Sequence, residues 1–536
     1  MLALVLGGVL VHPILDYLLD RKSLRQFPSP SVAAFTPFWV IYENWKGRRF
    51  LAVAQAHKEL GPVIRITPNS LSFSDPKAYK DIYGHGSSIL KDVFYDNVAG
   101  STPSMADTTS RALHSIKRKN LSSIFSAKNI TAMEPKVMLS VRKLLDALKH
   151  KSEGRRMADT DQFPVSNRRF DLRPWLNMFS FDAISDMLWS SRYGFLDRGN
   201  DDCHSMAEDG TTITVHAMNS FQTGVHFNTL CAQLSPIAYR LSRFVSQPTF
   251  LKQAADHFTG MARYQTVKRL ASAPSEPDFF SFLPLESTEK RPVAMGLPDL
   301  VAECTSFLNA GEPPCLCNHL CGAKQQTGND TTQISLTNAM YELASHPEKQ
   351  RKLYNSLVES LEEGSRPIAS YDELSKIPYL RACLDETFRL LPPVRFGLPR
   401  RTIGQGATIA GHHIPAGVTV SSSVHSLHRD ESLFHKAHEW IPERWTPENP
   451  DLLPGEWQNL KDFVLPFTLG GRACIGRNLA YMELSICLAA LVMAFEWKID
   501  AQHEREFVHF ERFNSSPVRL MVSARTRPEV RDVSVE

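Results

Sequence analysis

Long runs of like charge, internal repeats and low-complexity tracts are all missing from these 536 residues. With a net charge of only +3, the sequence gives no sign of a nucleic-acid partner. Cysteine is scarce: nine residues, an odd number at irregular spacing, do not make a disulfide framework, and the chain reads as a protein of a reducing, cytosol-facing environment. What remains is an ordinary globular composition, 43% hydrophobic and 22% charged. The length allows two or more domains and also suits one large core.

The stretch MLALVLGGVLVHPILDYLL, residues 1–19, is apolar apart from His12 and Asp16, and Arg21, Lys22 and Arg25 follow it. About eighteen helical residues roughly span a bilayer core, so residues 1–20 are expected to form a membrane anchor helix. A secretory signal peptide is one rival, but a basic n-region and a small-x-small cleavage site are both missing. A buried amphipathic helix is the other, because His12, Pro13 and Asp16 weaken a spanning segment. The basic residues after the segment hold the following chain on the cytosolic side. Residues 21–35, with Phe27-Pro28-Ser29-Pro30, read as a basic, proline-stiffened hinge, and 36–536 as one large unit.

Within that unit helical periodicity dominates, with short β interruptions. Helices are expected over residues 45–60, 111–126, 135–151, 175–191, 298–311, 331–346, 347–363 and 380–391. Alternation places two short strands around Pro68-Asn69 and more strands over 398–424, turning at Gly411 and Pro415-Ala416-Gly417. Residues 200–290 are helical in parts, with boundaries the pattern does not place. A glycine-rich loop, an apolar helix over 477–495 and a strand-like tail close the chain. The fold class expected is mainly α with small β-sheets.

The sharpest chemical signal is Phe467-Thr-Leu-Gly470-Gly-Arg472-Ala-Cys474-Ile-Gly476. A cysteine just ahead of a helix, among backbone amides and near an arginine, is expected to be held as thiolate. Such a thiolate is the axial ligand that pushes electron density onto heme iron and favours O–O cleavage. Gly470 permits a tight turn and Gly476 a close approach to a flat macrocycle. Five specified residues at fixed spacing arise by chance in a chain this long about once in ten thousand. An inert buried cysteine is therefore the poorer reading.

The pattern F-x-x-G-x-R-x-C-x-G resembles the heme-ligand loop of the cytochrome P450 monooxygenases. That resemblance implies the P450 fold, with heme b bound through Cys474. It implies a buried lock of Glu386, Arg389 and Arg444, matched by Glu386-Thr-Phe-Arg389 and Pro442-Glu443-Arg444-Trp445. Other E-x-x-R pairs, at Glu153, Glu348 and Glu363, are read as solvated helix faces. By the same match Arg118, Arg400 and Arg472 hold the propionates, with His114 where many members carry Trp. Asp330 and Thr331 match the acid–alcohol pair that delivers protons during oxygen activation, although Asn329 or Asp330 could simply cap a helix. The loops around Phe94 to Met105 and Met218 to Leu230, with Phe396, Gly397, Leu398, Phe513 and Asn514, are expected around an apolar substrate pocket.

The resemblance is nearest to membrane-bound enzymes of filamentous fungi. It implies a single-pass protein of the endoplasmic reticulum membrane that takes NADPH electrons from a cytochrome P450 reductase and inserts one atom of O2 into a small apolar organic substrate. A terpenoid, polyketide, alkaloid or aromatic acid of secondary metabolism is expected. A P450-fold isomerase or dehydratase working without a reductase is an alternative.

Residues 312–328 interrupt this picture. The family pattern separates Ala-Gly from Asp-Thr-Thr by one residue on an unbroken helix, whereas here Pro313-Pro314, Cys315, Cys317, His319 and Cys321 stand between Gly311 and Asp330. The cysteines and histidine invite a zinc reading, but their single-residue spacing fits tetrahedral geometry less well than C-x2-C. Two prolines inside a helix cost roughly 3 kcal/mol each. Removing residues 312–328 leaves a continuous helical sequence, and the stretch reads as a retained intron. As written, the chain could be a heme-poor or inactive product.

Overall fold

The computed structural model describes residues 14–99, 102–155, 169–220, 229, 232–233, 250–272, 274, 276–286, 294–309, 330–361, 367–447, 460–501 and 507–528. Most of the expected anchor, residues 1–13, and the whole of 312–328 lie outside them, as does most of Met218 to Leu230. Helix predominates with small sheets.

The N-terminal part is a sheet unit entered through two helices, α1 (Phe38–Trp45) and α2 (Arg49–Leu60). Strands β1 (Val63–Thr67) and β2 (Ser70–Phe73) pair antiparallel across the Pro68-Asn69 turn, with a register shift between Arg65 and Thr67. They join β3 (Leu90–Lys91), β7 (Arg400–Arg401) and β10 (Thr419–Ser422) in the order β1-β2-β10-β7-β3. β2 and β10 run parallel, opposing Leu71 to Val420. A sheet joining residues 63–91 to residues 400–422 draws the two ends of the chain together.

The helical part begins with α3 (Arg111–Leu121) and α4 (Ala127–Ser152). Serine caps start both: the Ser110 hydroxyl accepts from Leu113 N at 3.2 Å and that of Ser126 from Asn129 N at 3.4 Å. The Ser126 cap is why α4 begins well before Pro135, where the helix was expected to start. α5 (Arg173–Trp189) is buried on nearly every side, and its buried Asp182 carboxylate accepts from the amides of Gly194, Phe195 and Leu196. Around it stand α6 (Phe250–Ala271), α7 (Leu297–Asn309), α8 (Asp330–Ser345), α9 (Pro347–Ser360), α10 (Pro378–Leu390) and α11 (Arg477–Ala494). α11 packs on α4, α8 and α9. Among the described residues it alone is long and apolar enough to cross a membrane, but 83% of it is buried, so it is a core helix.

One element was not expected. β5 (Asp202–Met206) and β6 (Thr212–His216) form an antiparallel hairpin against α6. Its turn is Asp209-Gly210, with Gly210 at φ +87° and the Asp209 carboxylate accepting from Thr211 N. Near the C-terminus β11 (Phe495–Ile499) pairs with β14 (Met521–Thr526), and β12 (His509–Glu511) with β13 (Ser515–Pro517).

Candidate functional site

The glycine-rich loop folds as its sequence requires. Gly470 sits at φ +71°, and a Cβ there would lie 2.4 Å from the Tyr83 carbonyl oxygen, so only glycine fits. Cys474 N donates to Phe467 O at 2.9 Å and closes the loop. Phe467 wedges between Phe388 and Tyr481, with ring centroids 5.3 and 5.5 Å away. Gly476 caps α11. A Cβ on Gly476 would meet Phe125 and the Cys474 sulfur only at ordinary contact distance, so the protein's own atoms do not demand glycine there.

Of the five described cysteines Cys474 alone is exposed, although enough protein surrounds the thiol for desolvation to raise its pKa. The Gly476 amide, Arg118 and Arg477 pull the other way and are outweighed.

Cations collect beside it. Arg118 Nη1 donates to Ala473 O at 2.9 Å, tying the loop to α3. Arg472 donates to Thr108 O and Ser110 O at 2.9 and 3.5 Å. Arg400 donates to Pro399 O and to the Tyr95 hydroxyl. None of the three has a carboxylate within ion-pair distance among the described residues. Burial first, and then Arg400, lowers the Arg472 pKa to about 10. Burial, then Arg472, Arg118 and Lys91, lowers that of His114 to about 4, so the imidazole is neutral. Three guanidinium groups gathered together, Arg400 buried and Arg118 and Arg472 half-buried, fit an anionic ligand. With the exposed thiol alongside, this donor set suits a heme with its two carboxylates.

Behind the loop, α10 carries a fully buried pair. Arg389 donates to both Glu386 oxygens at 2.8 and 2.9 Å and to the carbonyls of His428, Ala437 and Glu439. Glu386 also accepts from Ile441 N, from Arg444 Nε at 3.4 Å and from Trp445 Nε1 at 2.9 Å. The structure thus brings Glu386, Arg389 and Arg444 together and adds Trp445, which sequence reasoning overlooked although it stands next to Arg444.

Asp330 and Thr331 form the first turn of α8. The next residue, Thr332, donates its hydroxyl to Glu483 at 3.2 Å, inside the core. Glu483 interrupts the apolar run of α11, a signal that its acid must find a buried partner. Desolvation lifts its pKa to about 7 against the Thr332 bond.

Phe94 and Tyr95, in a short helix over Phe94–Val98, pack with Phe396 and Phe513. Phe513 meets Phe396 edge-on at 4.8 Å and stacks on Phe94 at 6.4 Å. Tyr95 bonds Arg400, so this aromatic cluster adjoins the cationic one. Leu398 packs against it. At Gly397 a Cβ would lie 2.5 Å from Ser422 O, so glycine lets this segment press against β10. Lys117 is buried and pairs with Glu303 at 2.9 Å and Asp299 at 3.0 Å, fastening α3 to α7. Glu303 also accepts from Met105 N.

A sequence model described as cytochrome P450 matches residues 28–313 and 324–522. The residues left out of that match, 314–323, fall within 312–328. The chain is 29% identical to benzoate 4-monooxygenase of Aspergillus niger, over 97% of this chain and 96% of that one. It is 27% identical to a cytochrome P450 monooxygenase of Stereocaulon alpinum, over 90% and 86%. Tryprostatin B 6-hydroxylase of Aspergillus fumigatus is 26% identical, over 92% and 77%.

Proposed function

Because the chain belongs to the cytochrome P450 monooxygenase family, we propose that it binds heme through Cys474 and hydroxylates an aromatic compound of fungal secondary metabolism. The observation that carries this reading is the exposed Cys474 thiol beside guanidinium groups that have no carboxylate partner among the described residues. When bound, heme supplies the activation of O2 and the insertion of one oxygen atom, the other leaving as water.

The chain's own residues do the rest. Cys474 would hold the iron as a thiolate, giving up its proton on binding. Arg118, Arg400 and Arg472 receive the two heme carboxylates, and the neutral His114 offers one further N–H. Asp330 and Thr331 would deliver protons for oxygen activation, one as acid and one as hydroxyl. The Thr332–Glu483 bond holds the start of α8 against α11, which fixes that pair relative to the Cys474 loop. The phenyl rings of Phe94, Phe396 and Phe513 offer edges and faces to a flat aromatic substrate. A relative named for benzoate, an aromatic acid, supports the substrate class.

Electrons come from NADPH through a cytochrome P450 reductase in the endoplasmic reticulum membrane, with this chain anchored by residues 1–20 and its body in the cytosol. Support for the membrane lies in the exposed apolar side chains Leu15, Leu18, Leu19, Phe38, Tyr42 and Trp45, crowded into the N-terminal region. Incubation with reductase, NADPH, labelled O2 and a panel of aromatic acids and indoles tests the reading. One labelled oxygen per product is expected. Turnover of a peroxide without NADPH would instead favour the isomerase or dehydratase.

A further inference from the structure

We propose that Arg49, at the start of α2, is a positioning residue that sets the aromatic wall of the substrate pocket. The inference rests on the reading that the Phe94–Phe396–Phe513 cluster borders the heme. Arg49 holds both halves of that wall. Its guanidinium carbon lies 3.7 Å from the centre of the Phe396 ring. Its Nε donates to Glu511 Oε2 at 3.2 Å and its Nη2 to Arg512 O at 3.4 Å. Glu511 ends β12, and two residues on, at the hairpin tip, stands Phe513, edge-on to Phe396.

An isolated two-stranded hairpin has little stability of its own, so its docking contacts decide where Phe513 stands. Those contacts reach α2, the turn before it, Pro393 and α8, where the His509 ring bonds the Asn338 side chain at 3.0 Å. Glu511 Oε2 also accepts from Phe50 N at 3.0 Å, Glu511 N donates to Gly47 O at 2.7 Å, and Ser515 N donates to Pro393 O. Gly47 is glycine because a Cβ would come within 2.4 Å of the Phe510 ring. Arg49 and Glu511 are both buried, so removing one leaves the other charge without its partner, while removing both does not. The single variant therefore shifts the hairpin, and the paired apolar variant leaves it near its place.

Two heme-binding probes separate positioning from plain stability. Imidazole ligates heme iron without a wall contact, and 4-phenylimidazole places a phenyl ring against the wall. Holoprotein is prepared as the parent, Arg49→Lys, Arg49→Met and Arg49→Met/Glu511→Met, and the affinity of each for the two probes is read from the optical shift. Arg49→Met is expected to weaken 4-phenylimidazole at least tenfold with imidazole affinity unchanged, Arg49→Lys to weaken it less, and the double variant to recover part of the loss. Equal shifts for both probes, or none for either, in whichever variants fold would overturn the proposal. A parent that shows no optical shift with imidazole contradicts the heme reading itself and takes this inference down with it.

Discussion

Glu483 shows what one buried acid does to the whole protein. Its carboxyl ionises near 4.5 in a solvated chain and near about 7 in the fold, where burial disfavours the charge. Between those values the unfolded state has released the proton and the folded state keeps it. Stability therefore falls as pH rises from about 4.5 to about 7, and levels off above. Glu483→Gln keeps an acceptor for Thr332 and removes the titration, so relative to the parent it should gain up to about 3 kcal/mol by pH 7.5 and nothing at pH 4. Denaturant midpoints of the holoproteins across that range check this, and a gap independent of pH would contradict it. At this scale Cys474 was legible because its neighbours form a spaced pattern. The burial around its sulfur was not, since that depends on which residues the fold wraps around the loop. The Thr332–Glu483 contact spans 151 positions and leaves no local pattern.

Among elements, α10 with the segment after it is the most committed part of the fold. Arg389 spends its donors on Glu386 and three carbonyls, all inside the protein. Arg389→Met leaves the buried Glu386 with the longer Arg444 contact as its ion pair, beside the Ile441 and Trp445 N–H donors, and should cost about 3–5 kcal/mol. A denaturant midpoint and the heme retained on purification measure that loss; an unchanged midpoint would mean the network is not structural. Helix positions were readable from periodicity, and the β1–β2 turn from Pro68-Asn69. The start of α4 was misplaced because Pro135 resembles a first-turn proline, whereas the Ser126 cap and a run of helix formers carry the helix through it. The β5–β6 hairpin was missed although Asp209-Gly210 announces such a turn, because its strands are short and flanked by helical sequence.

For the whole molecule, the family pattern runs from residue 28 to 522 with one break, at 314–323. That break supports reading 312–328 as a retained intron. A chain lacking those residues should yield more heme-loaded protein than the chain as written, and equal or lower loading would argue that the stretch belongs. Overall architecture was legible because the motifs for the lock and the Cys474 loop stand in family order along the chain. The apolar N-terminal surface was only half legible: hydropathy marked residues 1–19, but the exposure of Phe38, Tyr42 and Trp45 depends on how α1 sits. Everything assigned to the molecule, from reductase to substrate, depends on a thiolate at Cys474. The direct test is the carbon-monoxide difference spectrum of the reduced protein beside Cys474→Ser. A thiolate-type band in the parent and its loss in the variant are predicted; a parent without that band, or a variant that keeps it, would contradict the account.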